Sequence, residues 1–235
     1  MPPKPKFPVI AVTGLAFEAR IAKGPGVRSI LGTQQDRLSA SITEAIKAGC
    51  QGIVSFGICG GLAPHLKPGD CIVARSVVMN DRRLESHPEW TKRLLEAIPG
   101  SIHADIAGVT APVTTPEDKR SMNLATGAAA VDMESFLSVD AAVEHDLPFA
   151  AVRVVADPSH RALPPAAIGT LLADGTPDLS AVMRSVLTQP SQLHSLIRLA
   201  LDARAARATL TRLRSRIGSG FGLHDLADAM FTPAE

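Results

Sequence analysis

Short apolar runs alternate along the chain with longer segments in which apolar residues recur every three or four positions. Strands are predicted by the apolar runs over residues 8–14, 27–31, 52–57, 71–79, 103–110, 128–133 and 149–157. Helices are predicted by the longer segments over residues 36–49, 88–98, 116–125, 134–146, 178–187 and 191–216. This alternation is typical of a mostly parallel sheet covered by helices. We therefore predict an α/β fold of three layers, α-β-α, around a central mixed, mostly parallel sheet.

The composition indicates one globular domain over residues 1–235, with 46% hydrophobic and 20% charged residues. A net charge of +1 excludes a strong global attraction to nucleic acid, so we expect no nucleic-acid partner. Cys50, Cys59 and Cys71 lack CxxC spacing, which predicts reduced thiols in a cytoplasmic protein and no zinc site. No run approaches the roughly 18 apolar residues that a membrane span requires.

A basic amphipathic helix is predicted over residues 191–216, which contain six arginines and a single acid, Asp202. One stripe of this helix is formed by Leu196, Leu199, Ala203, Ala206, Leu210 and Leu213. The stripe favours packing on the domain or on a partner subunit, with the arginines facing water. The alternative is peripheral adsorption to an anionic membrane surface.

Three carboxylates follow predicted strands. Glu18 comes four residues after Gly14, Glu134 lies in AAVDMESF (129–136), and Asp157 ends the apolar strand in VRVVADPSH (152–160). Taken singly, Glu18 suits an exposed helix face, Glu134 the first turn of a helix, and Asp157 the cap of a turn. Because parallel strands end at the same edge of a sheet, the three could also converge on one site.

A glycine-rich segment, SFGICGGLAPHLKPGD (55–70), follows the third predicted strand. Gly57, Gly60 and Gly61 would permit positive φ angles and close approach of a ligand to the backbone. The spacing matches neither GxGxxG nor a P-loop, so a plain turn stays open as the alternative. Cys59, within this segment, is interpreted as a packing thiol rather than a nucleophile.

Together these motifs resemble the purine nucleoside phosphorylase and nucleosidase superfamily over roughly residues 8–160. The resemblance rests on the Gly-Gly-Leu-Ala-Pro loop, on VDMES and on VRVVADP, in that order and spacing. TGLAFEARIA, TTPEDKR and TGAAAVDMESF are most similar to the hopanoid-associated branch, which acts on adenosylhopane.

The resemblance implies a role for each carboxylate. Asp157 falls on the acid that protonates or hydrogen-bonds N7 of the leaving adenine, and Glu134 on the glutamate that binds ribose hydroxyls and supports the sugar cation. Glu18 is the candidate base for an attacking water, and Met133 would pack against the sugar. The implied substrate-binding set also includes Gly57, Ile58, Gly60, Gly61 and Arg153. No metal or organic cofactor is implied, and phosphate is a candidate co-substrate.

One departure from the superfamily pattern bears on the nucleophile. Phosphorolytic relatives carry an Arg and a Ser where this chain has Ser55 and Ile58, so a phosphate would need cations from Arg28 or Arg153. The residues therefore favour water over phosphate.

The predicted function is release of adenine from adenosylhopane by an oligomeric enzyme at the inner membrane face. The alternatives are a nucleosidase of the methylthioadenosine/S-adenosylhomocysteine type, a purine nucleoside phosphorylase acting on soluble nucleosides, and a non-catalytic nucleoside-binding domain. Adenosylhopane as the substrate predicts an open, apolar channel beside the ribose site.

Overall fold

The computed structural model describes residues 8–32, 34–167 and 192–223, together with positions 176, 184, 188 and 189. The strands are Val9–Thr13 (β1), Val27–Leu31 (β2), Gly52–Gly61 (β3), Cys71–Met79 (β4), Arg82–Glu85 (β5), Ile102–Gly108 (β6), Ala130–Asp132 (β7) and Phe149–Asp157 (β8). The α-helices are Ala16–Ala22 (α1), Gln35–Lys47 (α2), Pro88–Ala97 (α3), Pro116–Thr126 (α4), Ser135–Glu144 (α5) and Leu193–Arg216 (α6). Short 3-10 helices cover Pro165–Ala167 and Ser219–Gly222. The predicted helix over 178–187 falls on a segment of which only residue 184 is described.

The strands form one mixed sheet in which parallel pairs predominate. β1 lies between β2 and β3, β3 also pairs with β8, β4 with β6, and β6 with β7, all in parallel. The contacts of β3 with β7, β4 with β5 and β4 with β8 are antiparallel. β3, β8, β4, β6 and β7 thus close into a ring, since each pairs with the next. The mixed, mostly parallel sheet was predicted, whereas this closure was not.

Side chains that alternate between the two faces of the sheet contribute to two separate hydrophobic cores. In β1, Val9 and Ala11 pack in the core that includes side chains of α1, α3 and α6. Ile10 and Val12, one position on, pack in the core that includes side chains of α2 and α5. Because successive side chains of a strand point to opposite faces, the sheet is buried on both sides. The three-layer prediction is therefore confirmed.

Helix α6 is only partly buried. Its apolar stripe enters the core at Ala206, Leu210 and Leu213, and contacts β8 and α1. Arg214, expected to face water, instead donates from Nε to the Ala22 carbonyl oxygen at 3.0 Å and lies over the Phe221 ring. That contact occurs because Arg214 lies beside the carboxyl end of α1, where carbonyl oxygens lack partners within the helix. None of the described helices has the combined length and hydropathy of a membrane span.

The sequence analysis missed one strand, gave no bounds to one helix and misplaced one boundary. Strand β5 was not predicted, the short helix considered around Glu18 corresponds to α1, and β3 continues to Gly61 where a glycine-rich turn was expected. Gly57, Gly60 and Gly61 belong to this strand, and none of them has a positive φ angle. Glycine is permitted in strands, so its presence alone did not locate the turn.

Candidate active site

A cavity of about 290 Å³ lies at the carboxyl-terminal ends of β1, β3, β7 and β8. Its polar wall residues include four carboxylates, from Glu18, Asp132, Glu134 and Asp157. Most of the remaining wall is apolar and includes Leu15, Ile58, Val109, Pro112, Val113, Val131, Met133, Leu163, Leu199 and Ala203. The structure thus brings together the three carboxylates that the sequence placed after separate strands. A buried carboxylate in such surroundings requires a charged or hydrogen-bonding partner.

The Glu18 carboxylate caps its own helix and also reaches the neighbouring strand. Glu18 Oε2 accepts the backbone N–H groups of Gly14 and Leu15, each at 2.9 Å, and Oε1 accepts that of Ile58 at 2.7 Å. The side chain of the third helical residue commonly returns in this way to the start of a helix. With 1% of the residue exposed, the interpretation as a solvent-facing helix residue is wrong. Burial raises the pKa of Glu18, while Arg153 and the three N–H donors oppose that shift.

Arg153 is the positive centre of a buried cluster. Its Nη2 lies 3.1 Å from Glu134 Oε2, and its Nε lies 2.6 Å from Asp132 Oδ2 as an ion pair outside hydrogen-bond alignment. Burial alone would lower the pKa of Arg153, but the charges of Asp132, Glu134 and Glu18 outweigh it and raise that pKa. Burial likewise raises the pKa of Glu134 to about 7, against the opposing effect of Arg153. When ionised, three carboxylates face one guanidinium, so this side of the cavity is negative.

Two serines complete the cluster beneath the cavity. Arg153 Nη2 donates to Ser55 Oγ at 2.5 Å, and the Ser135 hydroxyl contacts Ser55 Oγ at 2.9 Å and Asp132 Oδ2 at 2.5 Å. The Ser55 hydroxyl group is therefore hydrogen-bonded to buried side chains within the protein. The alternative for Glu134, a place in the first turn of a helix, is off by one position, because Glu134 directly precedes α5. Its side chain makes no capping hydrogen bond and pairs with Arg153 instead.

Two glycines are needed because side chains of the cluster pass directly over the backbone. A Cβ atom at Gly57 would lie 2.6 Å from Glu18 Oε1 and 2.7 Å from Arg153 Nη1. A Cβ atom at Gly14 would overlap the Glu134 carboxylate. Close approach, rather than positive φ, is therefore what these positions require.

Asp157 lines the same cavity but pairs with a different cation. Its Oδ2 lies 2.5 Å from the Nζ atom of Lys119, a residue of α4 that has no exposed surface. Burial raises the pKa of Asp157, and the charge and hydrogen bond of Lys119 oppose the shift. The side chain of Asp157 thus pairs with a lysine that the sequence analysis did not select, and not with Arg153.

The remaining predicted residues divide into two groups. Met133, Ile58 and Gly60 lie on the cavity wall, whereas Gly57, Gly61 and Arg153 lie behind it. Cys59 is on the wall too, and burial raises the pKa of its thiol well above the ordinary value, which agrees with a packing role.

The sequence analysis missed Lys119 and Asp132 as partners of the site. Asp132 stands in the VDMES motif and could have been found there, because two acids in one short buried segment need cations. Lys119 gives no such signal, since TTPEDKR has the charge pattern of an exposed first turn. The described residues contain no group of three or more His, Cys, Asp or Glu arranged to hold a metal ion.

The model of the phosphorylase superfamily matches residues 8–188. The chain belongs to the phosphorylase superfamily. It is therefore an enzyme that acts on N-glycosidic bonds. No curated protein matches the sequence at a significant level.

Solved structures agree with the superfamily fold. The 5′-methylthioadenosine/S-adenosylhomocysteine nucleosidase of Helicobacter pylori is 14% identical, with a TM-score of 0.61 over 90% of this chain and 99% of that chain. Futalosine hydrolase of the same organism is 15% identical, with a TM-score of 0.63 over 89% and 97%. The Neisseria meningitidis 5′-methylthioadenosine/S-adenosylhomocysteine nucleosidase is 14% identical, with a TM-score of 0.65 over 88% and 96%. At these identities the likeness establishes the fold of this superfamily enzyme.

Proposed function

We propose that this enzyme hydrolyses the N-glycosidic bond of an adenosine carrying an apolar 5′ substituent, adenosylhopane, and releases adenine. The observation that carries the proposal is the meeting of Glu18, Glu134 and Asp157 in one largely apolar cavity. Breaking such a bond leaves positive charge on the sugar and negative charge on the purine. The cavity wall holds both the carboxylates around Arg153, which suit a cationic sugar, and an acid beside a lysine, which suits a leaving purine.

In the proposed mechanism, Asp157 gives a proton to N7 of the adenine as the bond between C1′ and N9 breaks. The electron pair of that bond goes to the purine. Glu134, ionised beside Arg153, binds the ribose hydroxyls and stabilises the cation on the sugar. Glu18 accepts a proton from water as the water oxygen bonds to C1′.

The contacts of Glu18 support water rather than phosphate as the nucleophile. The backbone N–H groups of Gly14, Leu15 and Ile58 could together bind an anion, but the Glu18 carboxylate already accepts hydrogen bonds from all three. Arg153, the buried cation of this cluster, is paired with carboxylates and is not among the residues of the cavity wall. A phosphate dianion would therefore meet carboxylate charge at this position.

The wall of the cavity supports an apolar 5′ substituent. Val109, Pro112, Val113, Leu163 and Leu199 contribute apolar side chains to it. A closed polar wall would have argued against this substrate, and the wall is neither closed nor mainly polar. The alternative, a soluble substrate such as methylthioadenosine, is favoured by the names of the similar solved structures, several of which are nucleosidases for that compound.

The exposed part of α6 supports peripheral contact with a membrane. A lipid-linked nucleoside would reside in that membrane. Leu193, Ile197 and Leu201 are 50%, 52% and 58% exposed at a spacing of four residues, and Leu199 of the same helix lines the cavity. We expect the protein to sediment with vesicles of anionic phospholipid, and Ile197→Ser to weaken this binding. Leu124→Ser is the matched control, because Leu124 is 75% exposed on α4. If Ile197→Ser instead dissociates an oligomer in light-scattering measurements, the stripe is a subunit interface, as the predicted homo-oligomer would require.

The deciding experiment measures adenine released from adenosylhopane in detergent, with and without phosphate. We expect release without phosphate, its loss in Asp157→Asn, and its retention in Asp81→Asn, which alters an exposed carboxylate. A strict requirement for phosphate would overturn the assignment of water as nucleophile. Release from methylthioadenosine alone would replace the proposed substrate, and no release from either would favour a non-catalytic nucleoside-binding domain.

A further inference from the structure

Lys119 is the most completely buried ammonium group in the described part of the chain. It projects from α4, has no exposed surface, and is absent from the cavity wall. Its Nζ atom donates to Asp157 Oδ2 at 2.5 Å, to the Arg161 carbonyl oxygen at 2.8 Å and to the Pro158 carbonyl oxygen at 3.2 Å. An ammonium has three N–H donors, so all three are used. The three oxygen partners therefore match the three donors of an ammonium group in number.

The contacts of Lys119 leave one side of the Asp157 carboxyl group available. Lys119 occupies Oδ2 from within the protein, while Asp157 itself lines the cavity and has 12% of its side chain exposed. Among the described residues, no recorded hydrogen-bond donor occupies Oδ1. The same lysine ties the carboxyl group to the turn that follows β8, through the carbonyl oxygens of Pro158 and Arg161.

We propose that Lys119 is a positioning residue for departure of the purine: it fixes Asp157 with Oδ1 free for N7 and stabilises the carboxylate that forms when Asp157 gives up its proton. The inference rests on the proposed function, because it assigns the leaving-group proton to Asp157. When the O–H bond of Asp157 breaks and the N7–H bond forms, negative charge appears on a carboxylate that already has a buried cation beside it.

This placement matters because a buried acid without a cation would donate its proton poorly. Burial favours the neutral carboxyl group, and a neutral group of raised pKa is a weak acid toward N7. The adjacent ammonium lowers the free energy of the ionised product, so proton transfer becomes more favourable. The other charged groups facing Asp157 are Arg161, which is ion-paired with Asp202, and exposed His160.

A purely structural role, in which Lys119 only anchors the turn after β8, makes different predictions. Removing a turn anchor would impair the enzyme whether or not residue 157 can ionise. Removing a partner that acts through Asp157 would have little further effect once Asp157 is asparagine. A double-mutant cycle therefore separates the two roles.

The test compares wild type, Lys119→Met, Asp157→Asn and the double variant in adenine release. We expect Lys119→Met to lower kcat/KM by about 10- to 100-fold, part of the factor that a general acid contributes. In the Asp157→Asn background the same substitution should change kcat/KM by less than about twofold, measured with enough enzyme to detect the residual rate. Lys119→Gln keeps an N–H donor for the carbonyl oxygens, and it carries the test if Lys119→Met unfolds.

The pH profile provides a readout that a turn anchor would not move. Lys119 lowers the pKa of Asp157, so its loss should raise that pKa and shift the alkaline limb of kcat/KM to higher pH. An unchanged profile, or equal losses in both backgrounds, would overturn the inference while adenine release by wild type upheld the proposed function. Absence of release by wild type would overturn both.

Discussion

Replacing Glu18 with glutamine removes one carboxylate from the group around Arg153 while preserving the shape of the side chain. The carboxylate accepts three backbone N–H groups, two at Oε2 and one at Oε1. A glutamine has a single carbonyl oxygen. Its best orientation keeps the N–H groups of Gly14 and Leu15 on that oxygen and turns the amide NH₂ group toward the N–H of Ile58.

The expected cost in stability follows from that mismatch. The partly buried N–H group of Ile58 loses its acceptor, which costs up to about 1–3 kcal/mol of the free energy of unfolding. Removal of a buried charge offsets part of this cost. Because burial raises the folded-state pKa of Glu18, its protonation stabilises the fold fully below the unfolded-state pKa, and this stabilisation is lost as pH rises through the folded-state pKa. The stability of Glu18→Gln relative to wild type should therefore improve as pH rises.

The effect on activity should be larger than the effect on stability. If Glu18 is the base for the attacking water, Glu18→Gln should lower kcat by about 10²- to 10⁴-fold, with less change in substrate affinity. The assay is adenine release, accompanied by urea unfolding at several pH values. Glu44→Gln, an exposed carboxylate on α2, is the matched control and should behave as wild type in both. A Glu18→Gln enzyme within threefold of the wild-type rate would refute the assignment of Glu18 as base.

Three further predictions concern Glu134, the glycines of β3 and the cysteines. Because burial raises the pKa of Glu134 to about 7, kcat/KM should rise with pH up to about that value as the carboxylate forms. Glu134→Gln should lose this acidic limb of the pH profile and about 10²-fold in rate. If the acidic limb persists in Glu134→Gln, it belongs to another group. Gly57→Ala should cost about 1–3 kcal/mol in urea unfolding and most of the activity, because its Cβ atom would contact two buried charged groups. Gly61→Ala, whose Cβ atom would lie 3.3 Å from a valine methyl group, should be milder, and equal effects would contradict the steric argument. A thiol reagent at neutral pH should modify half-buried Cys50 before Cys59, as peptide mapping can establish, since Cys59 is buried with a pKa raised well above its ordinary value.

Much of the fold could be predicted from local pattern, because a strand that is buried on both faces is apolar at nearly every position. The near-continuous apolar run of β8, interrupted by Arg153, identified a buried strand, and successive side chains of β1 pack in the two different cores. Strand β5, with the sequence RRLE, was missed because a short exposed edge strand lacks this apolar pattern. The extension of β3 to Gly61 was missed because a glycine-rich sequence resembles a turn. Gly57, within this strand, instead leaves room for the side chains of Glu18 and Arg153.

The sequence by itself determined which carboxylates follow strands, and therefore that Glu18, Glu134 and Asp157 could share one edge of the sheet. Only the tertiary structure decided their partners. Arg153 and Asp157 lie four residues apart on one strand, yet Arg153 pairs with Asp132 and Glu134, while Asp157 pairs with Lys119 from a helix 38 positions earlier. Strand position is a local property that hydrophobic pattern encodes. Ion pairing in a buried site depends on which strands and helices become neighbours, and the closure of β3, β8, β4, β6 and β7 into a ring fixed those neighbours here.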